Sequence, residues 1–261
     1  MIQITLPDGS IKSVEKGTTS MDVAKSISEG LARNVISAKF NDTVVETKTP
    51  LTTDGTLILY TWNDNEGKKA FWHSSAHILA QAIESLYPSS KLWVGPAIDN
   101  GFYYDIDLGD ETISDKDFKR IEDKMLEIAR GKHEFNMREV SKQEALSYYK
   151  DKNNYKVDLI ENLDDGSITF CDHDTFTDLC RGGHIPNTGI VKAVKILNVA
   201  GAYWKGDENN KQLTRVYGIS FPKQKELTEY LHLLEEAKKR ANKTISDAYE
   251  LLEKENKQQA E

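Results

Sequence analysis

The chain has 261 residues, 38% hydrophobic and 29% charged, with a formal net charge of −8. That balance excludes a disordered chain, and no apolar run approaches the roughly 20 residues of a membrane helix. An acidic total argues against nonspecific nucleic-acid binding through the overall field, so any such contact has to come from a local basic patch. Cys171 and Cys180 are too few for a disulfide framework and read as thiols. The start "MIQITLPDGS" has no basic region followed by an apolar one, which makes a cytoplasmic location the expectation.

Residues 2–62 read as a small unit. "IQITLPDGSIKSV" is a hairpin turning at Asp8-Gly9, and "TSMDVAKSI" opens a helix with Thr19 as N-cap and Asp22 three residues on. "SAKFN", "TVVET" and "LILYTW" are further strands, an order that suggests a β-grasp module. From Phe71 onward, "HSSAHILAQAIESLY" has helical spacing up to a stop at Pro88. "VGPAIDNGFYYDID" mixes turn signals with strand residues; "SDKDFKRIEDKMLEIARGK" is an amphipathic helix between Ser114 and Gly131. "SKQEALSYY" and "YKVDLIENL" are shorter helices, and "SITFCDHDTFTDLCRGGHIPNTG" begins as strand and ends as a glycine-rich loop. Two strands joined by a polar turn at Gly206–Asn210 follow. A long helix then runs from Pro222 to about Lys254, with a seam of Leu227, Leu231, Leu234, Ala241, Ile245, Ala248 and Leu252. The fold class is α+β. The predicted organisation is 1–62, a larger α/β domain with antiparallel sheets at 63–221, and a linker helix at 222–261.

Two stretches carry chemistry. His73 and His77 stand at i and i+4 on one side of a helix, and Ser74, Ser75 and Ala76 keep that helix slim enough for close approach. In "DLCRGGHIPNTG", Cys180 and His184 are separated by Arg-Gly-Gly, a loop spacing in which the glycines reach backbone geometry closed to other residues. One thiol and three imidazoles suit tetrahedral zinc, either closed or with an open position for water. The same set suits metal-free proton handling.

The HxxxH…CxxxH pattern resembles the editing domains of threonyl- and alanyl-tRNA synthetases. "HSSAHILAQAI", "VGPAIDNGFYYDID", "YKVDLI", "DLCRGGHIPNTG" and "AGAYWKGDENNKQLTRVYG" look like the bacterial-type threonyl family, and residues 1–62 resemble its TGS domain. The resemblance covers essentially the whole chain. It implies an N-terminal fragment cut in the helix leading to a class II aminoacylation core that is absent.

For such a chain the implied activity is proofreading: hydrolysis of the ester of Ser-tRNA(Thr) by activated water. The partner is the tRNA(Thr) acceptor end, with neither DNA nor membrane. No cofactor is expected for editing, since ATP and zinc belong to the absent core. The full enzyme is a homodimer through parts missing here, so the fragment is expected to be monomeric. By the resemblance, His73 activates water or orients the terminal ribose, His77 and His184 line the pocket, and Lys156 stabilises developing negative charge or handles a proton. Asp178 binds the substrate's α-amino group, Tyr104 contacts the adenosine or serine moiety, and Cys180 shapes the pocket or hydrogen-bonds the serine hydroxyl without acting as a covalent nucleophile. Lys192, Lys195, Lys205, Lys211 and Arg215 are possible phosphate contacts, with Tyr203 and Trp204 as stacking platforms; the alternative is a solvated basic face over core aromatics. A noncatalytic RNA-docking module and a zinc-dependent structural domain are the competing readings.

Overall fold

The computed structural model describes residues 1–258, with the side chains of its last helix described up to residue 244. The chain begins with β1 (Ile2–Thr5) and β2 (Ile11–Val14), antiparallel about the Asp8-Gly9 turn, where Gly9 takes φ +81°. Two helices follow, α1 (Ser20–Ile27) and α2 (Glu29–Asn34); then come β3 (Val35–Phe40), β4 (Thr43–Val45) and β5 (Gly55–Thr61). The sheet runs β2-β1-β5-β3-β4, with β1 and β5 parallel in the middle, which is a β-grasp arrangement. Ile2 and Ile4 alternate with exposed Gln3 on β1 and close a core with Val23, Ala38, Leu51 and Leu57. At the start of α1, Thr19 and Asp22 exchange both bonds of the expected capping box.

Helix α3 (Asn65–Leu86) carries both site histidines. It begins six residues before Phe71, earlier than the apolar spacing indicates, because its first turn is polar and docks on the small sheet. There Gly67 lies so close to β5 that an added Cβ would sit 1.9 Å from the Thr61 carbonyl oxygen. Then come β6 (Lys91–Leu92), β7 (Ala97–Ile98), β8 (Gly101–Asp107) and α4 (Asp115–Arg130), whose Ser114–Asp117 capping box is in place. β9 (Asn136–Glu139), α5 (Lys142–Tyr149), α6 (Asn154–Glu161), β10 (Thr169–His173) and β11 (Phe176–Leu179) complete the middle region. The stretch expected to be a single strand is a hairpin, β10 to β11, turning at Asp174 with φ +50°.

β9, β10 and β11 form one antiparallel sheet, packed on α5 and α6 through Val140, Tyr149, Ile160, Ile168 and Phe170. β12 (Ala193–Tyr203) and β13 (Gln212–Phe221) pair with β8 and β6 in another, with β7 added at β8. α3 packs against α4, β8 and β13.

Met1–Pro222 form one compact unit and α7 (Gln224–Gln258) belongs to a second. The expected division at residue 62 falls inside the first unit, where the two parts have separate sheets joined through α3. In the expected seam of α7, the side chains of Ile245, Ala248 and Leu252 lie outside the described residues.

Candidate functional site

The slim stretch of α3 is where the glycine loop docks. Ser74 Oγ donates to the Ala70 carbonyl and accepts the Ile185 N–H at 3.0 Å, tying the residue after His184 to the helix. Ser75 Oγ lies 2.7 Å from Ser220 Oγ of β13. With the loop seated, His73 Nε2 is 3.1 Å from Cys180 Sγ, and Cys180 Sγ is 3.4 Å from His184 Nε2. One ligand-type atom from each of His73, His77, Cys180 and His184 lies within 4.8 Å of the others. His184 is stacked between Phe135 (centroids 5.1 Å apart) and His73 (4.8 Å). His73 is half-buried, and the other three are buried.

A second, drier cluster adjoins the first. Asp178 on β11 accepts from Tyr104 Oη of β8 at 2.5 Å and from the Leu179 N–H at 2.8 Å, and its Oδ1 lies 2.5 Å from Lys156 Nζ of α6. Lys156 Nζ also reaches Tyr104 Oη at 3.2 Å. The side chains of Lys156 and Asp178 are each only 3% exposed, so neither is the surface charge that its residue type would suggest. Asn153 holds Lys156 in place: its Oδ1 accepts the N–H groups of Tyr155 and Lys156, and its Nδ2 donates to the Leu92 carbonyl. Gly95 leaves room for the Tyr104 ring, where a Cβ would come within 2.2 Å. His77 links the clusters: Nδ1 stands 3.3 Å from Asp178 Oδ2 without hydrogen-bond geometry, and neither ring nitrogen has a hydrogen-bond partner among the described residues.

Burial pushes the Cys180 thiol up, but the imidazoles of His73 and His77 and the His184 hydrogen bond outweigh it and bring ionisation well below the ordinary range. Burial would lower His184, yet its contacts with Cys171, Cys180 and Glu46 hold it well above an ordinary imidazole. For His73 burial wins, and the ring is held below its usual value. His77 is raised against its burial by Cys180 and Asp178. Asp178 stays ionised despite full burial because of Lys156 and His77. These shifts favour a Cys180 thiolate beside a protonated His184, with His73 as the ring most readily kept neutral.

Both clusters open onto one cavity of about 800 Å³, lined by His73, His77, Tyr104, Lys156, Asp178 and Cys180 together with Ser37 and Val44 of the small sheet. That size suits a nucleoside carrying a small acyl group. All seven expected site residues therefore converge, with His184 held just behind Cys180. Both oxygens of Asp178 are already engaged, so a substrate ammonium would have to share them. In number and type, His73, His77, Cys180 and His184 also fit a tetrahedral zinc ion.

The basic residues expected to meet phosphate lie elsewhere. Lys195 pairs with Glu122, Lys205 with Asp158, Lys211 with Asp107 and Arg215 with Asp105, and none of them lines the cavity. Tyr203 is 44% exposed, whereas Trp204 packs edge-on against Tyr155. Sequence reasoning missed Lys69 and Arg181, exposed cations on the cavity wall with no ion-pair partner among the described residues. Arg181 lies within the quoted loop motif, which is the signal that could have found it. Cys171 touches His184 Nδ1 at 3.7 Å, with burial raising its thiol to about 11; His173 is buried among Phe135 and Phe176.

Residues 2–61 match the TGS domain family, and residues 168–217 match the family described as the threonyl and alanyl tRNA synthetase second additional domain. The chain is 71% identical over 251 residues to a threonine–tRNA ligase of Flavobacterium johnsoniae, covering 96% of this chain and 39% of that protein. Identity to the threonine–tRNA ligase of Cytophaga hutchinsonii is 58% over 252 residues, and to that of Porphyromonas gingivalis 52% over 253, with the same shares covered. The chain thus spans 39% of the length of these relatives. Over 96% of its length the chain is similar to the N-terminal region of threonine–tRNA ligases, with matches to the TGS domain and to the second additional domain of threonyl and alanyl tRNA synthetases.

Proposed function

We propose that the chain hydrolyses the ester of tRNA(Thr) mischarged with serine, as the proofreading part of a cytoplasmic enzyme that attaches threonine to tRNA(Thr) with ATP. The observation that carries this reading is the convergence of two imidazoles, a thiol backed by a third imidazole, and a buried lysine on one cavity wide enough for the terminal nucleoside. A synthetic pocket that accepts threonine rejects serine, one methyl smaller, by only about 1–3 kcal/mol, roughly 10–200-fold, so a second hydrolytic site has a clear use.

In this reading, water attacks the seryl carbonyl, the ester C–O bond breaks, and the ribose oxygen leaves as a hydroxyl, receiving the proton that the imidazole took from water. His73 Nε2–H faces the Cys180 thiolate, which leaves Nδ1 as the basic nitrogen that takes the water's proton. The ring is neutral and open to the cavity, as a base has to be. Lys156 supplies positive charge toward the developing oxyanion, held in place by Asp178 and Tyr104. Lys69 and Arg181 meet the phosphates next to the terminal adenosine. Cys180, as an anion walled in by His73 and His184, shapes the pocket, and the acyl group stays on oxygen throughout. The site works without a cofactor; zinc bound at the four donors is the rival, and metal analysis of protein purified without chelator separates the two.

The test is to incubate the chain with Ser-tRNA(Thr) and with Thr-tRNA(Thr). Faster loss of the seryl ester supports proofreading. Equal loss of both, or of neither, contradicts it.

A further inference from the structure

The small sheet domain contributes more than a wall to the cavity. Glu46 directly follows β4, and its side chain is 11% exposed. Its Oε1 accepts the Gly183 N–H at 3.0 Å, the His184 N–H at 3.2 Å and His184 Nδ1 at 3.0 Å, while Oε2 lies 3.2 Å from the same His184 N–H. One carboxylate thus gathers two consecutive backbone donors and a ring nitrogen from a residue 138 positions away. The loop comes this close because Gly182 and Gly183 adopt φ +95° and +88°, a region that disfavours side chains. Two residues beyond Glu46, Lys48 bonds Glu134 at 3.3 Å and Asn136 at 2.5 Å, a second tie across the same seam.

A carboxylate only accepts hydrogen bonds, so its contact with His184 puts a proton on Nδ1 and turns Nε2 toward Cys180. We propose that Glu46 is a positioning residue of the deacylation site, through which the TGS domain fixes the glycine loop and the orientation of the His184 ring. The proposal rests on the deacylase reading above. Glu46 does not line the cavity, so it acts through His184 and Cys180 and meets no substrate. The TGS domain is then part of the working site in addition to any contact it makes with RNA.

The experiment compares wild type, Glu46→Ala and Glu46→Gln in the full chain, with chelator present. Glutamine keeps an acceptor at the Oε1 position; alanine removes it. Glu46→Ala is expected to lower kcat for Ser-tRNA(Thr) about tenfold or more while KM changes less than about twofold, and Glu46→Gln to recover to within about threefold of wild type. Nitrogen-15 NMR of the His184 ring is expected to find a hydrogen-bonded Nδ1–H, slow to exchange with water, in wild type and Glu46→Gln, with that protection lost in Glu46→Ala. An unchanged kcat in Glu46→Ala, or ring signals identical in all three proteins, overturns the proposal. If wild type leaves the ester intact, the deacylase reading fails, and the ring signals still decide whether Glu46 holds the His184 ring.

Discussion

Replacing Asp178 by asparagine removes one negative charge from a cluster that is almost wholly buried. The side chains of Asp178 and Lys156 are each 3% exposed, and the carboxylate serves Lys156, Tyr104 and the Leu179 N–H at distances of 2.5 to 2.8 Å. Asparagine fits the space, but its NH2 faces Lys156 or Tyr104 with another donor, and the Lys156 cation loses its counter-charge. Breaking a buried ion pair from one side costs about 3–5 kcal/mol, mostly because the remaining charge stays buried. For a unit of this size that corresponds to a drop in Tm of roughly 10 °C. The assay is thermal and guanidinium unfolding at pH 7 of wild type, Asp178→Asn, Lys156→Met and the double variant. The double variant is expected to be more stable than the sum of the single losses allows, by about 2 kcal/mol or more. The pH dependence has a definite sign. Lys156 and His77 hold the Asp178 carboxyl below its usual value against its burial, so its contribution is complete above the unfolded value of about 4 and is lost only as pH falls through the lower folded value. An Asp178→Asn loss below about 1 kcal/mol, or strictly additive variants, would refute this reasoning.

Three other changes probe separate parts of the account. His173 is 1% exposed, and burial, with His77 and His184 nearby, lowers it from 6.5 to about 3, so between those values the unfolded chain binds the extra proton. Wild-type stability therefore falls with acidification, and His173→Phe should gain about 2 kcal/mol relative to wild type between pH 7 and pH 5; parallel pH profiles would contradict this. Gly67→Ala drives a Cβ to 1.9 Å from the Thr61 carbonyl oxygen, so a destabilisation of about 1–3 kcal/mol is expected by denaturant titration, and an unchanged midpoint would count against that packing. Cys180→Ala should slow deacylation without abolishing it, and acid quenching of the wild-type reaction should trap no seryl thioester; a burst of acylated Cys180 would replace water attack with a thiol nucleophile.

Legibility in the sequence followed how local each determinant is. The capping box at Thr19–Asp22, the start of α4 at Ser114 and the Asp8-Gly9 turn are set by neighbours within a few residues, and they were readable. The β10–β11 turn was not, because its left-handed residue is Asp174 and no glycine marks it. The first turns of α3 were missed because they are polar and gain their place by docking on β5. His73, His77, Cys180 and His184 were recoverable through the motif resemblance, while spacing alone left metal, catalytic and structural readings open. The distant partners left no local trace: Glu46 under the glycine loop, Asp178 under Lys156, and the acids that pair with Lys195, Lys205, Lys211 and Arg215. That is why basic residues in the β12–β13 region looked free to meet RNA, while Lys69 and Arg181 passed unnoticed.

The central claim is that a neutral imidazole at the cavity wall activates water against a seryl ester. Single-turnover hydrolysis of Ser-tRNA(Thr) by wild type and by His73→Ala, with unfolding midpoints measured alongside, tests it most directly. The account predicts a loss of about a hundredfold or more in the chemical step, with the midpoint essentially unchanged. A His73→Ala protein that hydrolyses the ester at the wild-type rate would contradict it.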